Sequence, residues 1–306
     1  MKNILFATTA LVATAGIASA DVSVSGFAEM GIYDNGNGDM QFFQDIDVSF
    51  GMSGETDGGL TFGAGVDLDE TAAGTNSSDD NGTTVFVSGA FGTITMGDTD
   101  GASDWAMTET GIGGAMADDH TSHAGYNGNG VEGGDGQVVR YDYSMDSLGF
   151  AVSMTQGDDG AGDVDDTVEL GVKYSMDMGA ASVALGLGFR DAGTQTALGV
   201  TGDTNSLALS ASVTSGAITG TVNYTDGEVV GADYDHIGLG LGYTMDAFTV
   251  GFNWGEYDIA GVDSDGYGLA VNYDLGGGAV VQFGYGDSSV AGVDADTMSL
   301  GLALSF

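Results

Sequence analysis

Large apolar residues recur at every second position through much of this chain, with small or polar residues between them. At the C-terminus Met298, Leu300, Leu302, Leu304 and Phe306 share one parity, and Ser299, Gly301, Ala303 and Ser305 share the other. The same pattern runs through 60–69, 168–176, 182–189 and 248–255. A repeat of two marks a β-strand with two unlike faces. Cut at turn signals, the alternation predicts sixteen strands: 22–33, 40–53, 60–70, 83–91, 93–98, 137–145, 148–156, 166–177, 180–190, 204–214, 217–226, 235–245, 247–257, 264–274, 278–287 and 295–306. Short connections, such as Gly92, Asp146-Ser147, Ser215-Gly216 and Asp246, take turns with longer acidic ones near 71–82, 99–136, 157–165, 191–203, 227–234, 258–263 and 288–294. An even strand count, with short turns at one end and long loops at the other, is the layout of an outer-membrane barrel. The expected fold is therefore all-β: a transmembrane antiparallel β-barrel of about sixteen strands, over 21–306.

A soluble β-sandwich also alternates, so the make-up of the polar face decides between the two. Gly, Ser, Thr, Asn and Asp fill it, and the Lys, Arg and Glu mixture of a soluble surface is missing. Such a face suits a water-filled lumen. The apolar face carries Tyr174, Tyr224, Tyr243, Trp254, Tyr273 and Tyr285, which read as interfacial girdle residues against lipid.

Composition and charge narrow the reading. The chain has 306 residues, with 56 Gly, no Pro, no Cys, and 45 acids against 4 bases, for a net charge of -41. That much Gly disfavours helices, and 14 Phe, 12 Tyr and 2 Trp are too many aromatics for a disordered acidic chain. A strongly anionic surface repels phosphates, so nucleic acid is excluded as a partner. With no Cys there is neither a disulfide framework nor a thiolate metal site. Residues 1–20 hold one cation, Lys2, an apolar run over 4–12 and a small-residue end, Ala18-Ser19-Ala20, the layout of a signal peptide cleaved before Asp21. Beyond Lys2 the bases are Arg140, Lys173 and Arg190.

The connection over 99–136 is far longer than the rest, a length that normally goes with function. A sixteen-stranded lumen is too wide for wall side chains to fill, and a loop folded inward narrows it. This third loop, with Asp98 at its start, carries Asp100, Asp104, Glu109, Asp118, Asp119, Glu132 and Asp135 and no Lys or Arg, so folded inward it presents a negative constriction. An external loop solvated by its charges is the simpler alternative.

The segment from Thr84 to Gly92, continuing through Met96 and Asp98 to Gly101 and Ser103, resembles the strand pair leading into the constriction loop of general porins from photosynthetic purple bacteria and their relatives. The stretch from Tyr267 through Tyr273 to Ala279, and the terminal Phe306, are similar to the last strands of that family. The resemblance implies a homotrimeric outer-membrane porin of a Gram-negative bacterium, with an inward third loop and often bound calcium, but no required cofactor. Phe306 then matches the C-terminal aromatic read by the barrel-assembly machinery. It also implies a cluster of bases on the wall opposite the acidic loop, and here the sequence departs from the family. Parity puts Glu29, Asp45, Asp47, Asp67 and Asp69 towards the lumen in the first strands, where no base occurs. Arg140, Lys173 and Arg190 also take lumen parity, either as a residual basic wall or, the favoured reading, paired with neighbouring acids.

Many acids and few bases in a narrow lumen concentrate cations, so the expected function is passive diffusion of ions and small hydrophilic solutes with a preference for cations. The acidic run at Asp158, Asp159, Asp163, Asp165 and Asp166 suggests calcium only weakly, since no EF-hand spacing follows. An enzyme is disfavoured: His120, His123 and His236 are the only histidines, no catalytic motif surrounds them, and the two in the long loop read as solvated residues ahead of metal ligands. A secreted acidic calcium-binding adhesin is the remaining alternative, but its Gly-Gly-Asp-Gly, at 133–136, occurs once and without a period.

Overall fold

The computed structural model describes residues 21–34, 36, 39–70, 78–79, 82–116, 121, 123–127, 137–157, 165–197 and 200–306; the expected signal peptide, 1–20, lies outside them. Among the described residues the strands are β1 (Asp21–Asp34), β2 (Gln41–Glu55), β3 (Thr61–Glu70), a two-residue β4 (Ser78–Asp79), β5 (Thr83–Gly89), β6 (Gly92–Asp98), β7 (Gln137–Met145), β8 (Leu148–Thr155), β9 (Thr167–Asp177), β10 (Ser182–Ala197), β11 (Val200–Ser215), β12 (Ile218–Val229), β13 (Ala232–Met245), β14 (Phe248–Ile259), β15 (Val262–Gly276), β16 (Ala279–Val290) and β17 (Val293–Ser305). A five-residue helix, α1 (Ala102–Ala106), lies between β6 and β7. Each long strand pairs antiparallel with its neighbours in sequence, and β17 pairs with β1 from Phe27↔Ser305 to Asp34↔Met298. The sheet is therefore a closed barrel of sixteen wall strands, with β4 extending the β3 edge through Asp69↔Asp79. Closure leaves no open edge, so every strand can satisfy its backbone groups within the wall, the condition for a sheet to cross a bilayer.

The parity read from the sequence holds in space. Leu185, Leu209, Leu241 and Phe252 are exposed on the outside, while Gly171, Ser210, Asn253 and Asn272 are buried on the inside. Of the expected girdle, Tyr174, Tyr224, Tyr243 and Tyr273 are exposed outward and Trp254 and Tyr285 half-buried. Phe248 packs on Tyr273 at 4.5 Å, and Tyr267 touches both Phe252 and Tyr285 at 6.2 Å. Beyond this band the outward parity turns acidic along a line of cross-strand pairs: Asp226↔Asp235, Glu256↔Asp265 and Asp287↔Asp296. Carboxylates have no place in hydrocarbon, so these pairs mark its upper limit on that side.

Four expected long connections need correction. Residues 191–203, 227–234, 258–263 and 288–294 are largely strand, and three of the hairpins end in tight turns at Val230-Gly231, Ala260-Gly261 and Ala291-Gly292. Both central residues of each turn have positive φ, from 49° to 80°, as a type I′ hairpin requires. The acids that read as loop residues are strand residues standing above the apolar band. Val230 and the two alanines supply left-handed conformations without the Asn or Asp that usually signals them.

Candidate functional site

The β6–β7 connection lies against the inward face of the wall, and its first contacts follow from register. Arg140 on β7, Ser153 on β8, Glu169 on β9 and Arg190 on β10 are direct cross-strand neighbours in one inward row. This row fastens successive backbone groups of the connection, where buried N–H and C=O groups need partners. Arg140 Nη1 donates to the Asp100 carbonyl at 2.7 Å and lies 4.0 Å from its carboxylate, while Nε donates to Asp142 at 3.4 Å. Ser153 Oγ accepts from Ala102 N at 2.8 Å, and Glu169 Oε2 from Ser103 N at 3.0 Å. Glu169 Oε1 is 3.5 Å from Arg190 Nε. Lys173 Nζ sits 3.4 Å over the Trp105 ring, a cation–π contact, and the same distance from the Trp105 carbonyl. Arg140 and Lys173 thus touch the connection directly, Arg140 at Asp100 and Lys173 at Trp105, while Arg190 pairs with Glu169, which in turn holds Ser103.

From there the connection crosses the wall strand by strand. Thr108 N donates to Ser210 Oγ of β11 at 3.0 Å. Asn272 of β15 takes Gly114 N at 2.8 Å and returns a bond to its carbonyl at 2.9 Å, acting as a strand partner built from one side chain. Glycines give the connection its room. A Cβ on Gly171, Gly240 or Gly251 would overlap the carbonyl of Ala102, Thr110 or Ile112, and one on Gly301 would meet the Met116 sulfur. These inward glycines of β9 to β17 therefore face the packed connection, a correction to their expected exposure to lumen water. Ala102, Trp105 and Ala106 form a buried apolar cluster with Ala151.

Thr121 and a return segment, 123–127, fasten the far end. His123 and His236 are buried, which corrects the reading of His123 as a solvated loop residue. His123 Nε2 donates to Asn253 Oδ1 at 2.6 Å, and its Nδ1 accepts from Gly125 N at 3.2 Å. His236 Nε2 donates to the Gly125 carbonyl at 3.0 Å. Burial pushes the His123 pKa down, the nearby His236 adds to that, and Asn253 and Asp265 oppose it. An Nδ1 that accepts a hydrogen bond also belongs to the neutral ring. Above its ordinary value, about 6.5, the ring is neutral whether docked or released; below it the released segment binds a proton that the docked one excludes. Stability that rises with pH follows wherever the released state holds more protons. Docking of 123–127 is thus complete above about pH 6.5 and weakens as pH falls through the window beneath it. Amide hydrogen exchange over this segment, corrected for intrinsic rates, should quicken between about pH 7.5 and 5 and lose that dependence in His123→Gln; equal protection at both values would refute the assignment.

The acids of the opposite arc lie on neighbouring strands. Glu29 lies opposite Asp45 and Asp47 opposite Asp69 across β1, β2 and β3, and Ser49 donates to Asp67 at 2.8 Å. Glu29 and Asp45 are buried, and Asp47 and Asp67 half-buried. Of the loop acids, Asp100 sits against Arg140, and Asp98, Asp104 and Glu109 are half-buried. Asp118, Asp119, Glu132 and Asp135 lie outside the described residues, as do His120, 133–136, Asp158, Asp159 and Asp163. Asp165 and Asp166 accept from Thr194 N and Gly157 N. Calcium finds no fit among the described residues, where no three acidic or histidine side chains converge as metal ligands. The wall residues that hold the connection, Ser153, Ser210, Asn253 and Asn272, were not singled out in the sequence; amide and hydroxyl side chains at inward, mid-strand positions were the available signal.

A closed wall with an apolar outside, a polar inside and a connection laid across its interior defines a transmembrane β-barrel of the outer membrane. Comparison with known proteins agrees. The Gram-negative porin family matches residues 7–292, and the chain belongs to that family. A porin of Rhodobacter capsulatus is 36% identical over 213 residues, covering 68% of each chain. A porin structure refined at 1.8 Å superposes with a TM-score of 0.74 at 31% identity, covering 94% of this chain and 100% of that one. A triple mutant of Rhodopseudomonas blastica porin gives a TM-score of 0.67 at 19% identity, covering 93% and 100%, a likeness of fold.

Proposed function

We propose that the barrel, over 21–306 after removal of residues 1–20, is a water-filled pore passing ions and small hydrophilic solutes passively, and that it favours cations. The observation carrying this reading is the division of the interior into two arcs. The connection and all three cations occupy the side from β7 onward, and the side of β1 to β3 carries Glu29, Asp45, Asp47 and Asp67 inward. Solutes pass between the two, beside carboxylates that attract counter-ions. Catalysis is no part of the reading. A secreted adhesin does not suit an outside on which Leu241 is 55% and Phe42 91% exposed.

A homotrimer is part of the proposal. β5 and β6 are seven residues each, and at ~3.3 Å per residue and ~40° of tilt they rise only ~18 Å, short of an apolar band ~25 Å tall. Their outward Val85 and Met96 are exposed, and another copy covers this low arc better than lipid. Phe306, exposed and backbone-bonded to Gly26 where the wall closes, suits recognition by the assembly machinery.

Zero-current potentials across a planar bilayer with a potassium chloride gradient test the selectivity. The expected sign is that of a cation-permeable channel, with a permeability ratio of about five or more at low salt. An anion-permeable sign would refute the reading.

A further inference from the structure

We propose that Arg140, Lys173 and Arg190 are positioning residues that act together as a clamp on the root of the constricting connection. The inference rests on the pore reading above, in which the position of that connection sets the passage.

The clamp is built by register. Consecutive strands reach nearly consecutive residues of the connection: Arg140 takes Asp100, Ser153 takes Ala102, and Glu169, backed by Arg190, takes Ser103. Lys173 continues the series four residues along β9, holding Trp105 by its ring and its carbonyl. Between Glu169 and Lys173, Gly171 leaves the slot through which the Ala102 carbonyl passes. The guanidinium side chains of Arg140 and Arg190 are only 11% and 17% exposed, and each lies beside a carboxylate. Cations neutralised by a neighbouring carboxylate or set against the Trp105 ring add little net positive charge to the lumen. A lumen wall of bases needs its charges facing water, whereas Arg140 and Lys173 face the connection and Arg190 faces Glu169. Paired and largely buried ions are also costly to break singly, since removing one leaves its partner uncompensated, which gives the clamp its hold.

The absence of native Cys makes a reporter simple. Ser103→Cys replaces a fully buried side chain beneath the clamp, and its reaction with a small water-soluble methanethiosulfonate is followed in the purified full-length barrel. The expected result is slow labelling in the parent, about tenfold faster labelling in Lys173→Met and Arg190→Gln, and return to within about threefold of the parent in Arg190→Lys. Heat-modifiable mobility should be unchanged throughout, so that the barrel itself is seen to be intact. Labelling within about threefold of the parent in both charge-removing variants overturns the clamp. So does an unchanged labelling rate accompanied by a large change in zero-current potential, the signature of a basic pore wall. If the single variants do not assemble, the neutral pair Glu169→Gln with Arg190→Met, which strands no buried charge, is judged by the same thresholds. An anion preference of the parent channel together with slow parent labelling that quickens in these variants would refute the selectivity reading and leave the clamp standing.

Discussion

Replacing Glu29 by Gln and Asp45, Asp47 and Asp67 by Asn should bring the cation-to-anion permeability ratio down about fivefold, towards unity, in low salt. A unit charge ~7 Å from a passing ion in water is worth ~0.6 kcal/mol, close to RT, so each carboxylate changes local cation concentration about two- to threefold. The four act together over neighbouring strands, with Glu29 opposite Asp45 and Asp47 two residues from it. Screening reduces their sum, because the Debye length is ~10 Å at 0.1 M salt. At ~1 M salt it falls to ~3 Å, so the native channel should lose most of its preference there and the quadruple variant should change little. Gln and Asn keep the shapes of the buried pair, so wall register should survive. A ratio unaltered by the four substitutions, measured from zero-current potentials at low salt, would place the selecting charges elsewhere.

Valine at both Gly171 and Gly251 should roughly double single-channel conductance. Each added Cβ would overlap a backbone carbonyl, of Ala102 and Ile112 respectively, and a backbone held at both ends of its run cannot step aside at one point. Valine suits a strand better than glycine does, so the wall should assemble while the connection stays undocked and the wide lumen of a sixteen-stranded barrel opens. Gly220→Val is the matched control: a Cβ there meets nothing within 4 Å, and conductance should not change. A double variant with native conductance would show that the connection does not limit flow.

Most of the wall was legible because lipid and lumen impose opposite chemistry on alternate residues, so parity alone locates sixteen strands. Their upper ends were not legible. Glu228, Asp233, Asp258 and Asp263 read as loop acids because a strand is expected to stop where its apolar face stops, yet pairing continues through them to Val229↔Ala232 and Ile259↔Val262. The site was half legible. Inward parity assigned Glu29, Asp45, Asp47 and Asp67 and the three cations. It could not tell an inward glycine that meets water from one that meets backbone, since both are simply glycine at an even spacing. His123 and His236 were hidden for a similar reason: they lie 113 positions apart in sequence and meet on either side of Gly125 only after the connection has folded back.

Strands rich in glycine on one face specify their pairing weakly, because sliding by two residues keeps apolar side chains outward and exchanges one small residue for another. The row Arg140, Ser153, Glu169 and Arg190 exists only in one register of β7 to β10. A slip of two residues anywhere within it scatters the donors and acceptors that hold Asp100, Ala102 and Ser103. Docking of the connection therefore works as a gauge of alignment, rewarding the native stagger of four strands whose own inward faces barely distinguish it from its neighbours.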